Sequence, residues 1–399
     1  MHLARGRDGP ARGRHPWVFS GAISKVDGAP EPGDEVEVVD AEGDAIGRGL
    51  FNPNSQIRVR LYRWDQRDGL DEGFWGARVR AAVAHRRALG LLDPDGACRL
   101  VFSEGDGLSG LTVDRYGSVL AVQFTALALW SRREVLLEAL TDALHEFPIS
   151  GAVLRTEKGI LEEEGLEVRD GVLFGDVPDG PITVDEDGLR WLVDLRTGQK
   201  TGAYLDQREN RIAVSHFARD RDVADVCCYT GAFGLRMLAA GARSVAGVDV
   251  SAGALERARA HAGLNGRAAE LEDGRWTLDK GDAFRWLEAR RDEGRRFGMI
   301  VLDPPRFARS SRGVPQALRG YASLNELAIS CLEPGGILVT CSCTGRVSRG
   351  RFLSVLSGVE ARTGRRLRVL EQRGQPADHP VSPTCPETEY LKCVVARVE

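Results

Sequence analysis

Two short stretches hold the residue types most able to do chemistry. One is Thr340-Cys341-Ser342-Cys343-Thr344-Gly345, with two thiols on alternate positions, and the other is Asp303-Pro304-Pro305-Arg306-Phe307. A thiolate can add to an electron-poor ring carbon and later leave, which splits one hard step into two easier ones. A nearby carboxyl group can hydrogen bond to, or protonate, the ring nitrogen that takes up charge as the thiol adds. Prolines after Asp303 hold that acid in place, because proline fixes its own φ and restricts the residue before it. Cationic groups near a thiol lower its pKa from the usual value of about 8.5. Alternate strand residues share a face, so Cys341 and Cys343 point the same way while the strand lasts, with Cys343 nearer its end. A buried small residue closing a core strand would leave the same trace at Cys343, and the pattern alone does not separate the two. No histidine or third cysteine lies close by in sequence, so no metal site is expected there.

Three further acids recur at matching places. Asp225-Val226-Cys227-Cys228-Tyr229-Thr230-Gly231-Ala232-Phe233-Gly234 reads as a strand running through a glycine turn into a helix. Asp249 follows 18 residues after Gly231 at the end of the next strand, where a carboxylate accepts from ribose hydroxyls. Asp282, in Gly281-Asp282-Ala283-Phe284, stands where an acid reaches an adenine amino group. Each piece alone reads equally as a turn glycine or a helix-capping Asp, and the turn departs from G-x-G-x-x-G spacing. The ordered set points to a nucleoside-containing cofactor held by Asp225, Tyr229, Thr230, Gly231, Asp249, Asp282 and Asp303. A dinucleotide-dependent dehydrogenase would explain Asp249 but neither Asp-Pro-Pro nor the end of the chain.

The elements that must position these residues can be read from periodicity. From about residue 182 strands and helices alternate (VADVCCY, FGLRMLAA, SVAGVDV, AGALERARAHAGL, GMIVLDPP, a helix near 316–331, GILVTCSC), which predicts a parallel sheet covered on both faces. RRLRVLEQRG and EYLKCVVARV then follow as two strand-like runs with no helix between them. The expected fold is α/β, a Rossmann-like class I methyltransferase sheet with a terminal antiparallel hairpin. In such sheets ligands bind beyond the carboxyl ends of the strands, where the strand order reverses. Before it, ITVDEDGLRWLVDL reads as a hairpin turning at Glu186-Asp187-Gly188. Residues 1–70 read as a small β-domain with basic edges, and 71–181 as a central α+β domain with helices near 73–92 and 131–146. The catalytic domain is expected over 182–399.

That fold makes the cofactor S-adenosylmethionine, and it gives the thiol a purpose. Carbon 5 of a pyrimidine is a poor nucleophile until a thiolate adds at carbon 6, and such a base must be single-stranded or flipped out of its stack. Amino-group methyltransferases place an aromatic directly after the prolines, whereas here Arg306 intervenes before Phe307. Methylation of another base, such as a guanine nitrogen, and a non-catalytic RNA-binding protein remain alternatives.

Bulk composition limits the rest. The 399 residues carry a net charge of −4, which argues against a uniformly basic nucleic-acid binder but not against local basic surfaces. Only five lysines occur, so nearly all positive charge is arginine. Eight cysteines scatter through apolar segments without a C-x-x-C pair, which suits buried thiols in a cytoplasmic protein. No apolar run approaches the roughly 18–20 residues that a membrane helix needs.

The chain resembles the bacterial 5-methylcytosine methyltransferases of large-subunit ribosomal RNA that join a PUA domain to a Rossmann-like methyltransferase. The resemblance spans nearly the whole chain. It rests on Arg14-His15-Pro16-Trp17-Val18-Phe19, Ser103-Glu104-Gly105-Asp106-Gly107-Leu108 with Asp114-Arg115-Tyr116, and Lys200-Thr201-Gly202-Ala203-Tyr204-Leu205-Asp206-Gln207-Arg208. Asp303-Pro304-Pro305-Arg306-Phe307, Ser342-Cys343, Asp378-His379-Pro380, Pro386-Glu387 and Tyr390-Leu391-Lys392 complete it. It implies Cys343 as nucleophile with Asp303 beside it, Cys341 as a bystander, and Gln207 and Arg208 near the cofactor. It also implies an RNA substrate, an N-terminal PUA-like domain and a homodimer. Related RNA cytosine-5 enzymes carry a second cysteine at the fourth strand, but Val301-Leu302-Asp303-Pro304-Pro305 has none, so product release must use another group. His15 and Trp17 fit an RNA contact or a packing anchor, Asp378-His379-Pro380 a pocket wall or a turn, and Arg306 a phosphate contact or a salt bridge.

Overall fold

The computed structural model describes residues 1–64, 68–196, 198, 200–308 and 310–399. It divides into two compact units. The first comprises Met1–Asp185, Val193–Leu205 and Ala377–Thr388, and the second Glu186–Leu192, Asp206–Pro376 and Glu389–Glu399. Among the described residues no helix is long and apolar enough to cross a membrane.

The first unit holds two sheets. A six-stranded sheet uses residues 2–63 in the order Trp17–Phe19, Ile57–Arg63, Ala45–Phe51, Glu35–Val39, His2–Leu3, Ile23–Lys25. Its alternating apolar residues Leu3, Val38, Val59 and Leu61 share one core. A five-stranded sheet follows, from Ala97–Phe102 at one edge to Gly171–Gly175 at the other. Helices Glu72–Ala88 and Arg133–Ala143 bury Trp75, Val79, Leu136 and Leu140 in a second core with it. The segment 377–388 comes from far down the chain but belongs to this unit, where Asp378 Oδ2 accepts from the Arg99 N–H at 3.1 Å. A contiguous division at residue 182 therefore differs from the compact units in where it puts 182–185, 193–205 and 377–388.

The expected hairpin forms from Ile182–Glu186 and Leu189–Val193. Its two turn residues, Asp187 and Gly188, have φ of 52° and 74°, the left-handed pair that a two-residue turn needs to match strand twist.

The second unit is the expected parallel sheet with a terminal antiparallel hairpin. Its strands are β1 Asp222–Val226, β2 Ser244–Asp249, β3 Trp276–Lys280, β4 Phe297–Leu302, β5 Leu332–Ser342, β6 Leu367–Arg373 and β7 Lys392–Val398. Their order is β3-β2-β1-β4-β5-β7-β6. Strands β1 to β5 pair in parallel, while β7 runs antiparallel to both β5 and β6. The direction of winding changes between β1 and β4, so a crevice opens beyond their carboxyl ends. Val226, Val248, Ile300, Leu302 and Leu338 pack beneath it against Leu324 and Ile329 of helix Val314–Ser330.

Candidate active site

The chain leaves β1 through an irregular turn. Cys227, Tyr229 and Gly231 have φ of 61°, 49° and 72°. Two of these are not glycine, and left-handed backbone at such residues persists only where its surroundings hold it. Two contacts do so here. The Tyr229 N–H donates to Asp249 Oδ2 at 2.9 Å, and the Thr230 carbonyl accepts from His261 Nδ1 at 3.0 Å. His261 is buried, its other nitrogen meets the Leu192 N–H at 3.0 Å, and desolvation lowers its pKa. These bonds put the ring proton on Nδ1, so the imidazole is a neutral brace.

The acids converge beyond the strand ends. Asp225 is 1% exposed; its Oδ2 accepts the Gly234 N–H at 2.8 Å, while Oδ1 has no hydrogen-bond partner. Burial, with smaller repulsion from Asp303 and Asp249, pushes its pKa up to about 7 against the pull of the Gly234 N–H. Asp249, besides holding Tyr229, accepts from the Ser251 N–H at 2.9 Å. Asp282 caps helix Ala283–Asp292 by accepting from Phe284 and Arg285 N–H groups, so the capping reading holds for this residue. Asp225, Asp249, Asp282 and Asp303 all act on the Cys227 thiol, whose pKa burial and their negative charge raise far above the normal range. An inert thiol among four carboxylates is no nucleophile.

Asp303 is held by its own series of contacts. Gln207 Nε2 donates to Asp303 Oδ1 at 2.9 Å, and Asn210 Nδ2 donates to Gln207 Oε1 at 2.7 Å. Arg373 Nε donates to Asn210 Oδ1 at 3.2 Å, and Asn210 also reaches the Gly374 carbonyl. Gln207 thus orients an acid, a link that sequence reasoning missed together with Asn210 and Arg373. Arg208 opens helix Arg208–Ser215 and is buried.

Cys343 follows the last residue of β5 and is half-buried, whereas Cys341 is fully buried opposite Cys393 of β7. The Cys393 thiol and desolvation raise the Cys341 pKa well above normal, which leaves it unreactive. Thr344, next to Cys343, meets Tyr321 Oη at 2.9 Å through its hydroxyl, and its carbonyl accepts from Lys392 Nζ at 2.8 Å. Lys392 is 2% exposed at the start of β7, and the sequence marked it only as part of Tyr390-Leu391-Lys392. Arg306 is exposed and makes no ion pair among the described residues, while Phe307 packs on Tyr321.

Several motif residues of the first unit make structural contacts. Trp17 Nε1 donates to Glu104 Oε1 at 2.9 Å, which ties the first sheet to the segment before Leu111–Tyr116. Asp378 and His379 are buried and bonded to each other at 2.8 Å. His15, Cys385 and Glu387 bring three ligand-type atoms within 4.8 Å of one another. His15 Nδ1 accepts the Trp17 N–H, however, which leaves the ring proton on Nε2 facing Glu387. A metal-bound histidine donates from its second nitrogen instead, so the trio is a hydrogen-bonded contact.

Comparison with known proteins matches this geometry. A profile for a PUA-like domain matches residues 1–64, and one for S-adenosylmethionine-dependent methyltransferases matches residues 173–392. Ribosomal RNA large subunit methyltransferase I of Shewanella denitrificans is 40% identical over 399 residues, covering 100% of this chain and 99% of that one. Its namesake from Erwinia tasmaniensis is 38% identical over 396 residues, covering 99% and 98%. A Streptococcus mutans structure assigned to the SAM-dependent methyltransferases superposes with a TM-score of 0.84 at 18% identity, covering 100% and 99%, which shows the shared fold. Another at TM-score 0.85 and 18% identity covers 100% and 99% and was solved as a complex with SAH. With its parallel sheet, converging acids and full-length relatives, the chain belongs to the S-adenosylmethionine-dependent methyltransferases, in the family of ribosomal RNA large subunit methyltransferase I with its N-terminal PUA-like domain.

Proposed function

We propose that this protein methylates carbon 5 of a cytosine in large-subunit ribosomal RNA through a covalent adduct on Cys343. The observation that carries the reading is one half-buried thiol at the end of β5, on the strand next to Asp303, with the other thiols nearby made inert. The residues around the β1 turn suit a nucleoside cofactor. Asp225 keeps a buried, unpartnered carboxylate oxygen, and the left-handed turn at Tyr229 to Gly231 bends the backbone beside Asp249. Asp225, Tyr229, Thr230, Gly231, Asp249 and Asp282 would hold S-adenosylmethionine, with Gln207, Arg208 and Asp303 on its substrate side. Bound there, it supplies an electrophilic methyl group.

The chain's own groups do the rest. Cys343 Sγ adds as a thiolate to carbon 6 of an unstacked cytosine, and a carbon–sulfur bond forms. Asp303, steadied by Gln207, hydrogen bonds to ring nitrogen 3 as electrons move onto the base. Carbon 5 becomes the nucleophile. Once methylated, carbon 5 gives its proton to a solvent water, the carbon 6–sulfur bond breaks, and the departing thiolate restores Cys343. Residues 1–70 bind the RNA, residues 71–181 form a central α+β domain, and 182–399 carry the chemistry.

Transfer of labelled methyl groups to undermethylated large-subunit RNA tests the reading directly. Label in 5-methylcytosine with wild type and none with Cys343→Ala is the expected result. Label that survives the substitution, or lands on a guanine nitrogen, overturns the chemistry.

A further inference from the structure

The pairing of β5 with β7 surrounds Cys343 with one buried amine. Lys392 stands directly across from Ser342, the residue before Cys343. Its Nζ then reaches past Cys343 and donates to the carbonyl of Thr344, the residue after it, at 2.8 Å. A second donor goes to the Tyr390 carbonyl at 2.7 Å. Cys343 lies between the residue that Lys392 stands across from and the residue whose carbonyl it binds, and its charge acts on the amine. A lysine this deeply buried is costly unless something nearby needs its charge or its lone pair.

We propose that Lys392 is a positioning residue that holds Cys343 as a thiolate before substrate arrives. This rests on the reading of Cys343 as nucleophile. The step balances within the pair. The Cys343 S–H bond breaks, its proton passes to the neutral Lys392 amine, and the products are a thiolate and an ammonium with no net change in charge. Burial pulls Lys392 down to about 8, near the range of a free thiol, so neither proton position is prohibitive, and the thiolate favours the ammonium in return. Glu389 also favours the charged amine, whereas Arg349 and Arg306 oppose it. Two further titratable groups lie near the pair: the Tyr321 phenol, raised by burial and by the charges of Cys343 and Asp303, and the Asp303 carboxylate on the neighbouring strand, whose charge opposes the thiolate.

The test needs neither RNA nor cofactor. The full chain is alkylated with iodoacetamide across pH 5.5–10, and modification of Cys343 is followed by peptide mass spectrometry. In wild type the Cys343 profile is expected to turn below the free-thiol value of about 8.5. Lys392→Met should shift it upward by about one unit or more, about a tenfold loss of rate at pH 7, and Lys392→Arg should recover part of that by restoring charge. A wild-type midpoint at or above the free-thiol value, or an unchanged profile in a folded Lys392→Met, overturns the proposal. A wild-type midpoint at or above the free-thiol value overturns the idea whether or not the variant folds. Methyl transfer that persists in Cys343→Ala would sink the covalent reading instead, and the alkylation profile distinguishes that failure from this one.

Discussion

Asp225 shows what burial does to one acid at the centre of such a site. Its unfolded carboxyl titrates near 3.8 and its folded one at about 7. Between those values the folded chain holds a proton that the unfolded chain has lost, so stability is full below the lower value and drains as pH rises through the upper. Three units correspond to ~4 kcal/mol at most. Asp225→Asn keeps an acceptor for the Gly234 N–H and removes the titration. Its urea midpoint should therefore gain on wild type as pH goes from 5 to 8, and a constant difference would contradict the burial argument. Gln207 is the second residue-scale case. Its Nε2 bonds a carboxylate, and hydrogen bonds to charged groups are worth about 1.5–3 kcal/mol. Gln207→Ala should slow single-turnover methyl transfer by roughly tenfold or more, with a smaller effect on cofactor affinity by calorimetry. The reverse split would move Gln207 to the cofactor.

At the scale of elements, the turn from β1 into helix Ala232–Ala239 is a tight joint. Gly231 has φ of 72°, and a Cβ there would lie 2.9 Å from the Ala258 methyl and from the Trp276 ring. Only glycine meets both demands. Gly231→Ala should cost about 1–2 kcal/mol from backbone alone and more from the clash, seen as a lowered Tm. A neutral Tm would mean that the turn relaxes. The β5–β7 pairing matters differently. Cys341 opposite Cys393 and Ser342 opposite Lys392 follow from one register, and a slip of one residue would turn Lys392 to the other face of the sheet.

For the whole molecule, a net charge of −4 makes the placement of arginine more telling than its number. Near the N-terminus Arg5 pairs with Glu42, and Arg12 with Asp8 and Asp40. Arg7 and Arg14 are exposed and make no ion pair among the described residues. If residues 1–70 bind RNA, Arg7→Ala with Arg14→Ala should weaken binding and lower the slope of log K against log salt by about 1.5. Arg5→Ala should do less, because that guanidinium already has a partner. Filter binding at several salt concentrations measures both, and equal slopes for all variants would remove this face from the interface.

The sequence by itself determined whatever depends on neighbours along the chain. Strand–helix alternation foretold the parallel sheet, two apolar runs without a helix foretold its terminal hairpin, and Glu186-Asp187-Gly188 foretold the turn of the earlier hairpin. That Asp225, Asp249, Asp282 and Asp303 lie close to one another was legible because strand ends are local features and the fold brings them to one edge. Contacts between distant segments were left to the tertiary structure. Gln207 meets Asp303 across 96 positions, and Lys392 reaches Thr344 across 48. Residues 377–388 join the first unit although their neighbours in sequence do not. The physical reason is the same in each case: periodicity reports which face of an element is apolar, while a buried polar group finds its partner only once elements from separate stretches have packed and no water is left to satisfy it.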